Sequence, residues 1–305
     1  MRAIVVGLGV QGYKRRKFAG TDYIASVDPI NTEADYKRIE DVRLEEYDAA
    51  LCCIPDEPKL EILEYFLTKG KHVLVEKPLW VPKADCIDYL ERIACNKGVV
   101  CYTAYNHRFE PHIVKMRQLI TSGVLGKIYS CRMFYGNGTS KLVRDSIWRD
   151  QGAGVLLDLG SHLLDICLFW FGDIAYNFAL TSVNRFENKS PDHAIITSEK
   201  TYPRIELEMS LLSWRNHFTC DIFAENGSAH IESLCKWGPT IFNHRTRVLP
   251  SGRPIENSET LIQNDPTWAL EYEYFKQQCV QGVKTDLSKD YWLYTCLERL
   301  GREVH

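Results

Sequence analysis

The sequence lacks several features that would assign it to a class at once. Its 11 cysteines include no C-x-x-C pair, its formal net charge is only -3, and no apolar run approaches the ~20 residues of a membrane-spanning helix. Several cysteines lie inside apolar runs such as "AALCCIP", where free cysteine behaves as a small hydrophobic residue. These absences argue against a disulfide framework, a zinc ribbon, a membrane protein and a nucleic-acid-binding protein.

The cysteines and the N-terminus indicate the compartment, and the chain length bounds the number of domains. Buried, unpaired cysteines indicate a reducing compartment, and "MRAIVVG" already resembles a strand, which leaves no room for a signal peptide. A chain of 305 residues forms one large domain or two ordinary ones. We therefore expect a cytoplasmic protein that acts on a small molecule, with no nucleic-acid or membrane partner.

Two patterns divide the chain near residue 120. In residues 1–120, apolar runs such as "AIVV", "YDAALCCIP" and "HVLVEKP" alternate with helical stretches such as "PKLEILEYFLTKG", which is typical of a parallel sheet with both faces covered. Residues 121–305 contain period-two stretches, "RIELEMSLLSW" among them, with "ENGS" as a hairpin turn, and end in two amphipathic helices. The predicted fold is an α/β nucleotide-binding domain followed by an α+β domain with a mostly antiparallel sheet.

The first motif is a glycine loop directly after the first strand. Gly7, Gly9 and Gly12 form G-x-G-x-x-G at the start of a helix, and Asp28 ends the next strand about twenty residues later, the spacing of a dinucleotide-binding (Rossmann) fingerprint. The alternative is an ordinary glycine turn with a capping acid. We predict that the loop binds pyrophosphate through Gly7, Gly9, Val10, Gln11 and Gly12, and that Asp28 binds the adenosine ribose.

The cofactor preference depends on opposing charges. The Asp28 carboxylate repels a 2'-phosphate and favours NAD(H), whereas the basic run from Lys14 to Lys17 could reach that phosphate. We interpret the basic run as a solvated helix face. NAD(H) is therefore the preferred cofactor, and NADP(H) is not excluded.

The second motif is "HVLVEKPLW", in which charged residues end a buried strand. Burying charged side chains there costs free energy of hydration unless they form an ion pair or bind a ligand. Lys77 follows the carboxyl end of a predicted parallel strand, where α/β proteins bind ligands. We predict that Lys77 contacts the substrate.

The third motif is "GAGVLLDLGSHLLDI", where Asp158, His162 and Asp165 interrupt an apolar helix. Asp158 and His162 are four residues apart and share a helix face. The pair is either an intrahelical ion pair, a metal site without a convincing third ligand, or catalytic machinery. In the catalytic interpretation, His162 is the general base for an alcohol, Asp158 orients His162 or hydrogen-bonds the hydroxyl, and Lys77 stabilises the oxyanion.

These motifs resemble those of the Gfo/Idh/MocA family, the oxidoreductases related to glucose-fructose oxidoreductase and inositol dehydrogenase. The resemblance rests on "GLGVQG", "GKHVLVEKPL", "YNHRFEP" and "GAGVLLDLGSHLLDI" and spans nearly the whole chain. It implies a Rossmann domain, a second domain with an open sheet, and reversible hydride transfer between nicotinamide and a sugar-like alcohol. It also implies a homodimer or homotetramer formed through sheet faces.

The resemblance assigns roles to further residues. It places the family's catalytic lysine, aspartate and histidine on Lys77, Asp158 and His162, and its N-x-R segment on Asn106 and Arg108, near substrate or nicotinamide. Our predicted cofactor contacts also include Pro55, Glu76 and Lys77. No metal is predicted.

The chain departs from the family pattern in two places. The segment after Asp28 is short, so the helix that usually follows the second strand is reduced or absent. A loop that usually runs T-P-N-x-x-H reads "IPDEPK" here, with Ile54, Asp56 and Lys59 at the altered positions. We expect both changes to affect cofactor contacts.

The substrate wall is less determined. Trp148, Arg149, Trp214 and Arg215 are candidates, because indoles stack on sugars and arginines bind carboxylate or phosphate, although tryptophan is usually core and arginine usually solvated. We expect an enzyme acting on a secondary alcohol or ketone of a sugar, cyclitol or nucleotide-linked sugar. The alternatives are a non-catalytic nicotinamide- or sugar-binding regulator and a reductase of a non-sugar substrate such as a tetrapyrrole or diol.

Overall fold

The computed structural model describes residues 1–146, 149–172, 177–198 and 202–304, and the chain forms two compact units. The first unit contains Met1–Asn106 and Thr267–Thr295. The second begins at His107, runs to Pro266, and resumes at Cys296. The predicted boundary near residue 120, between a nucleotide-binding and a substrate-binding part, concerns function and stays a prediction.

The first unit is built on a five-stranded sheet in which all neighbouring strands run parallel. The strands are β1 (Ala3–Val6), β2 (Tyr23–Val27), β3 (Ala49–Cys52), β4 (His72–Glu76) and β5 (Cys101–Ala104). Their order, β2-β1-β3-β4-β5, confirms the predicted Rossmann-type sheet. The order reverses at β1, so its carboxyl end lies at the switch point where such sheets bind ligands.

Three helices follow strands as the alternation predicted. They are α1 (Val10–Ala19) after β1, α2 (Lys59–Thr68) after β3 and α3 (Asp85–Lys97) after β4. Between β2 and β3, a segment that the structure describes in full, the chain forms only two 3-10 turns, Ile39–Asp41 and Leu44–Glu46. This confirms that the helix expected after the second strand is absent.

The second unit contains an eight-stranded sheet in the order β13-β12-β11-β10-β6-β9-β8-β7. Its strands are β6 (Ile128–Gly136), β7 (Phe178–Asn184), β8 (His193–Ser198), β9 (Arg204–Ser210), β10 (His217–Ala224), β11 (Gly227–Glu232), β12 (Thr240–Thr246) and β13 (Ile255–Leu261). Only the β6–β9 pair is parallel among the described pairs, which confirms the mostly antiparallel sheet.

The described helices between residues 107 and 266 of the second unit are α4 (Pro111–Thr121), α5 (Ser140–Arg144) and α6 (Ser161–Phe171). A π-helical turn, Leu156–Gly160, leads into α6. Gly160 allows this turn to approach β9, since a Cβ there would lie 2.9 Å from the Met209 sulfur. Every residue from Ser161 to Leu168 is buried, so the polar groups on α6 are inside the unit.

Two helices end the chain, α7 (Thr267–Gln281) and α8 (Ser288–Glu303). Tyr272 and Phe275 of α7 pack in the first unit with Val5, Leu51 and Leu74, on one face of the parallel sheet. The other face packs against α2 and α3. Among the described residues, none of the helices is long and apolar enough to span a membrane.

Candidate functional site

The glycine loop joins β1 to α1. Gly7 has a φ of 86°, and a Cβ there would lie 2.3 Å from the Cys53 carbonyl oxygen. A Cβ at Gly12 would lie 2.0 Å from the Gly7 carbonyl oxygen, whereas one at Gly9 would meet no described heavy atom within 4 Å. Packing therefore requires two of the glycines, and the third leaves open space over the loop.

The N-terminus of α1 presents its first backbone amides at this open space. Gly9 occupies the N-cap position and has no side chain to bond these amides, and the first turn contains no acidic residue. Val10 is 76% exposed and Gln11 is also exposed. Uncapped amides at the positive end of a helix attract an anion, so the predicted residues suit the pyrophosphate of a dinucleotide.

Asp28, at the end of β2, ties the glycine loop to the segment after it. Its Oδ2 accepts a hydrogen bond from the Leu8 amide at 2.7 Å, and its Oδ1 accepts bonds from the Ile30 and Asn31 amides at 2.8 and 2.7 Å. Burial would raise the pKa of Asp28, but these hydrogen bonds outweigh it and the pKa is lowered. Asp28 therefore carries a negative charge beside the loop at neutral pH.

The segment after Asp28 adds polar groups at the same place. The Asn31 side-chain amide donates to the Leu8 carbonyl oxygen at 2.7 Å, and the Tyr13 hydroxyl donates to Glu33 Oε2 at 2.7 Å. Glu33 thus places a second carboxylate near the first turns of α1. Both carboxylates disfavour an additional phosphate here.

The basic run in α1 differs from its prediction as a solvated face. Lys14, Arg16 and Lys17 are exposed, but Arg15 is only 1% exposed. Its Nε lies 2.7 Å from Glu76 Oε1, and its Nη2 lies 2.7 Å from Glu271 Oε2. The prediction is therefore wrong for Arg15. Its guanidinium is buried because it forms ion pairs with two carboxylates that are distant in sequence.

Lys77 follows β4 at the carboxyl edge of the parallel sheet and is half-buried. The residues beside it are both held: Glu76 binds Arg15, and the Pro78 carbonyl oxygen accepts a hydrogen bond from Lys59 Nζ at 2.8 Å. Pro55, which we predicted as a cofactor contact, is exposed in the loop after the neighbouring strand β3. The sheet thus brings Pro55, Glu76 and Lys77 to the edge on which the glycine loop also lies.

In the second unit, aromatic and basic side chains surround Tyr135. The rings of His107 and His162 stack with centroids 4.1 Å apart, and the Tyr135 ring lies 5.4 Å from His107 and 5.9 Å from His162. Lys236 Nζ is 2.9 Å from His107 Nε2 and 4.5 Å from the Trp237 ring centroid. We call these five residues the Tyr135 cluster.

Asp158 borders the Tyr135 cluster. It lies in the π-helical turn, and Arg149 Nη2 is 3.4 Å from its Oδ2. Burial, and then the negative charge of Asp158, raise the pKa of Tyr135, which keeps its hydroxyl protonated. The structure therefore places predicted residues Asp158, His162 and Arg149 around one cluster, while their roles stay predictions.

Other predicted site residues bind within their own unit. Arg108 forms a forked pair with Asp165, its Nε lying 3.0 and 2.9 Å from the two carboxylate oxygens, and Asp165 is 1% exposed. The Asn106 side-chain amide donates to Thr267 Oγ1 at 2.8 Å. Arg108 is thus a charged partner of Asp165 inside the second unit.

The remaining candidates are spread out. Trp148 lies outside the described residues, and Trp214 is 75% exposed. Arg215 is exposed as well. Within the described part of the chain, no group of three or more His, Cys, Asp or Glu side chains is arranged to hold a metal ion.

Sequence reasoning missed four members of the Tyr135 cluster. His107 stands between two predicted residues in "YNHRFEP", and this position was the available signal. Tyr135 occupies an inward position in the alternating pattern of β6. Lys236 and Trp237 lie in a 3-10 turn between β11 and β12, and no motif marks them.

Two family models match the chain. A model described as "Oxidoreductase family, NAD-binding Rossmann fold" matches residues 11–105, and one described as "GFO/IDH/MocA C-terminal domain" matches residues 113–230. The first match begins within the glycine loop, at Gln11, and contains Gly12, Asp28 and Lys77. The second contains Tyr135, Asp158 and His162.

Curated relatives match with partial coverage. Trans-1,2-dihydrobenzene-1,2-diol dehydrogenase of Oryctolagus cuniculus is 26% identical over 224 residues, 72% of this chain and 66% of the relative. The scyllo-inositol 2-dehydrogenase (NADP(+)) of Bacillus subtilis (strain 168) is 33% identical over 106 residues, 34% of this chain and 29% of the relative. The alignments thus span less than two thirds of either relative.

Solved structures match the whole chain in fold. UDP-N-acetylglucosamine 3-dehydrogenase from Acidithiobacillus ferrooxidans has a TM-score of 0.82 at 19% identity, covering 100% of this chain and 97% of that chain. Levoglucosan dehydrogenase in complex with NADH and levoglucosan has a TM-score of 0.81 at 15% identity, covering 100% and 98%. At these identities the likeness establishes the fold alone.

Proposed function

Since the chain belongs to the Gfo/Idh/MocA family of oxidoreductases, we propose that it transfers a hydride between NAD(H) and a secondary alcohol or ketone of a sugar, cyclitol or nucleotide-linked sugar. The observation that carries this proposal is the edge of the parallel sheet. There, the uncapped helix amides beyond Gly9 follow the carboxyl end of β1, and Lys77 follows the carboxyl end of β4, with β3 between the two strands. This arrangement suits a dinucleotide and the substrate beside it.

Asp28 supports NAD(H) as the preferred cofactor. Its Oδ2 accepts one backbone hydrogen bond and retains a lone pair for a ribose hydroxyl. Its charge and that of Glu33 oppose a 2'-phosphate. NADP(H) stays possible, since the name of the Bacillus subtilis relative specifies NADP(+).

The roles proposed for the protein's residues follow from their chemistry. The nicotinamide, when bound, accepts or supplies the hydride. Lys77 stabilises the negative charge that develops on the substrate oxygen, and an imidazole nitrogen of His162 takes or returns the hydroxyl proton. Asp158 orients the reacting groups and, with Arg149 at 3.4 Å, borders the Tyr135 cluster.

The Tyr135 cluster supports a polyhydroxylated or cyclic substrate. The partly exposed ring of Trp237 suits the apolar face of a sugar or cyclitol ring, and the buried ring of Tyr135 supports it with its centroid 5.5 Å away. Lys236 and His162 offer polar atoms for hydroxyl groups, while the buried His107 binds Lys236. A cyclic trans-diol fits the same surface, and the Oryctolagus cuniculus relative is named for such a substrate.

The test begins with fluorescence titrations of NADH and NADPH, followed by a panel of sugars, cyclitols, nucleotide-linked sugars and cyclic diols read by nicotinamide absorbance. We expect tighter NADH binding and turnover of one class. Binding of NADH without turnover on any panel member would favour a regulator instead. Failure of both nucleotides to bind would refute the proposed cofactor site.

Two variants then test the assigned roles. Lys77→Ala is expected to retain NADH binding but to lower turnover by orders of magnitude, and His162→Ala is expected to lower it about a hundredfold or more. The exposed residues Lys69 and His217 provide matched alanine controls. Wild-type turnover in Lys77→Ala or His162→Ala would remove that residue from the mechanism.

A further inference from the structure

Lys59 is a buried lysine in an unfavourable position. It is the first residue of α2, where the positive end of the helix repels a cation, and it is 2% exposed. Burial is the main cause that lowers the pKa of Lys59, and the charge of Lys77 lowers it further, while Asp56 and Glu76 act in the opposite direction. An apolar residue here would avoid these costs.

The contacts of Lys59 show what its ammonium group holds. Its Nζ lies 2.5 Å from Asp56 Oδ1 and donates to the Pro78 carbonyl oxygen at 2.8 Å. Its backbone amide also donates to the Asp56 carbonyl oxygen at 3.2 Å. Lys59 therefore ties the loop after β3 to the main chain immediately after Lys77.

The Lys59 hydrogen bond reaches the chain just beyond the point where strand pairing of β4 ends. The pairing between β4 and β5 ends at Glu76 and Ala104, so Lys77 is the first residue beyond the paired strands. Pro78 has no amide hydrogen, and its carbonyl oxygen accepts bonds from Lys59 Nζ and from the Trp80 amide, both at 2.8 Å. The Lys59 hydrogen bond thus joins the start of α2 to the main chain at Pro78.

We propose that Lys59, oriented by Asp56, is a positioning residue that fixes the main chain at Lys77 for turnover. The inference rests on the role given to Lys77 in the proposed function. The two residues stand at the altered positions of the usual T-P-N-x-x-H loop, where Asn and His are replaced by Asp56 and Lys59. The replacements complement each other, because the buried ammonium group of Lys59 pairs with the carboxylate of Asp56, whose side chain is 48% exposed.

The first experiment compares Lys59→Met and Asp56→Asn with Lys69→Met, which removes an exposed lysine at the other end of α2. For Lys59→Met we expect kcat to fall about ten- to hundredfold, on the scale of misplaced catalytic groups, with the NADH dissociation constant unchanged within about twofold. Asp56→Asn should show a smaller loss of the same kind. Lys69→Met should leave both quantities unchanged.

The double variant Asp56→Asn/Lys59→His tests the pairing. It restores the usual neutral pair, so we expect its kcat to exceed that of Lys59→His alone, which leaves the Asp56 carboxylate without its cation. If Lys59 only stabilises the fold, the kcat of each variant should fall in proportion to its loss of thermal stability. Thermal unfolding of each variant therefore accompanies the kinetics, and kcat is compared between variants of equal stability.

Backbone hydrogen exchange separates this inference from the proposed function. Lys59→Met should speed exchange of the Trp80 amide about tenfold or more, because the Pro78 carbonyl that it binds is released. If exchange is unchanged, or if kcat of Lys59→Met equals that of the wild type, the positioning role is overturned. If the wild-type protein turns over no substrate, the proposed function fails, and exchange still decides whether Lys59 holds this chain segment.

Discussion

Replacing Arg15 by Met is expected to destabilise the first unit strongly. Arg15 is 1% exposed, and its guanidinium lies 2.7 Å from both Glu76 and Glu271. Burial opposes its charge, but the two carboxylates raise the pKa of Arg15 above its usual value. Methionine replaces most of the apolar stem and leaves both carboxylates without their cation.

The size of the effect follows from the burial of the two acids. The Glu271 side chain is 0% exposed and cannot regain water locally, whereas Glu76 is 18% exposed and can do so in part. Removing one partner of a buried ion pair typically costs about 3–5 kcal/mol, and we expect Arg15→Met to lie in this range. Such a loss corresponds to a fall in Tm on the order of 10 °C.

The assay is urea-induced unfolding followed by circular dichroism, with two further variants. Arg16→Met changes the exposed neighbour and should shift the free energy of unfolding by no more than about 0.5 kcal/mol. Glu271→Gln should destabilise the wild type but stabilise the Arg15→Met background, because it removes the uncompensated charge. If Arg15→Met costs less than about 1 kcal/mol, or if Glu271→Gln destabilises both backgrounds equally, the reasoning about this buried charge cluster is refuted.

Two further predictions concern carboxylates. Asp28→Ala should raise the NADH dissociation constant about tenfold and the NADPH dissociation constant by less. Both nucleotides lose a hydrogen-bond acceptor for the ribose, but NADPH also loses a charge that repels its 2'-phosphate. An equal loss of affinity for NADH and NADPH in fluorescence titrations would contradict this. Burial raises the pKa of Glu110 despite hydrogen bonds from Cys235. The stability that protonated Glu110 contributes is therefore complete below the pKa that Glu110 has in the unfolded chain. It is lost as the pH rises through the higher pKa that Glu110 has in the folded protein. Glu110→Gln should accordingly gain stability relative to the wild type from about pH 4 to pH 7 in urea titrations, and the opposite trend would contradict the sign.

The first unit could be predicted from the sequence because its signals are local. The strands of a buried parallel sheet are continuous apolar runs, and β1, β3 and β4 are such runs. The glycine loop was equally readable, since the tight turn at Gly7 and the close contact at Gly12 admit no side chain. Neither conclusion needs knowledge of distant partners.

The edge of the second sheet was harder to predict. The strand β13 reads "IENSETL", and none of its residues is buried, so no alternation of buried and exposed residues marks it. It is a strand because it pairs with β12 along its whole length. Strand formation at such an edge depends on the neighbouring strand more than on intrinsic propensity.

The hidden charges were missed for a related reason. Arg15 stands in a basic run and Lys59 follows a proline-rich loop, and both sequences are typical of exposed segments. Their burial is decided by Glu271 and Pro78, which the fold brings to them from elsewhere in the chain. Likewise, Lys236 joins His107 through a turn that carries no motif.

Two buried cations of the first unit, Arg15 and Lys59, bind the residues on either side of Lys77, and neither belongs to the predicted nucleotide contacts. Arg15 binds Glu76 on one side of Lys77, and Lys59 binds the Pro78 carbonyl on the other. Neither contact involves Asp28 or the amides of α1 at Gly9, which face the expected dinucleotide. If this division is correct, Lys59→Met lowers kcat without weakening NADH, whereas Asp28→Ala weakens NADH at a kcat close to that of the wild type. A loss of both quantities in both variants would mean that the edge of the sheet acts as a single cooperative unit.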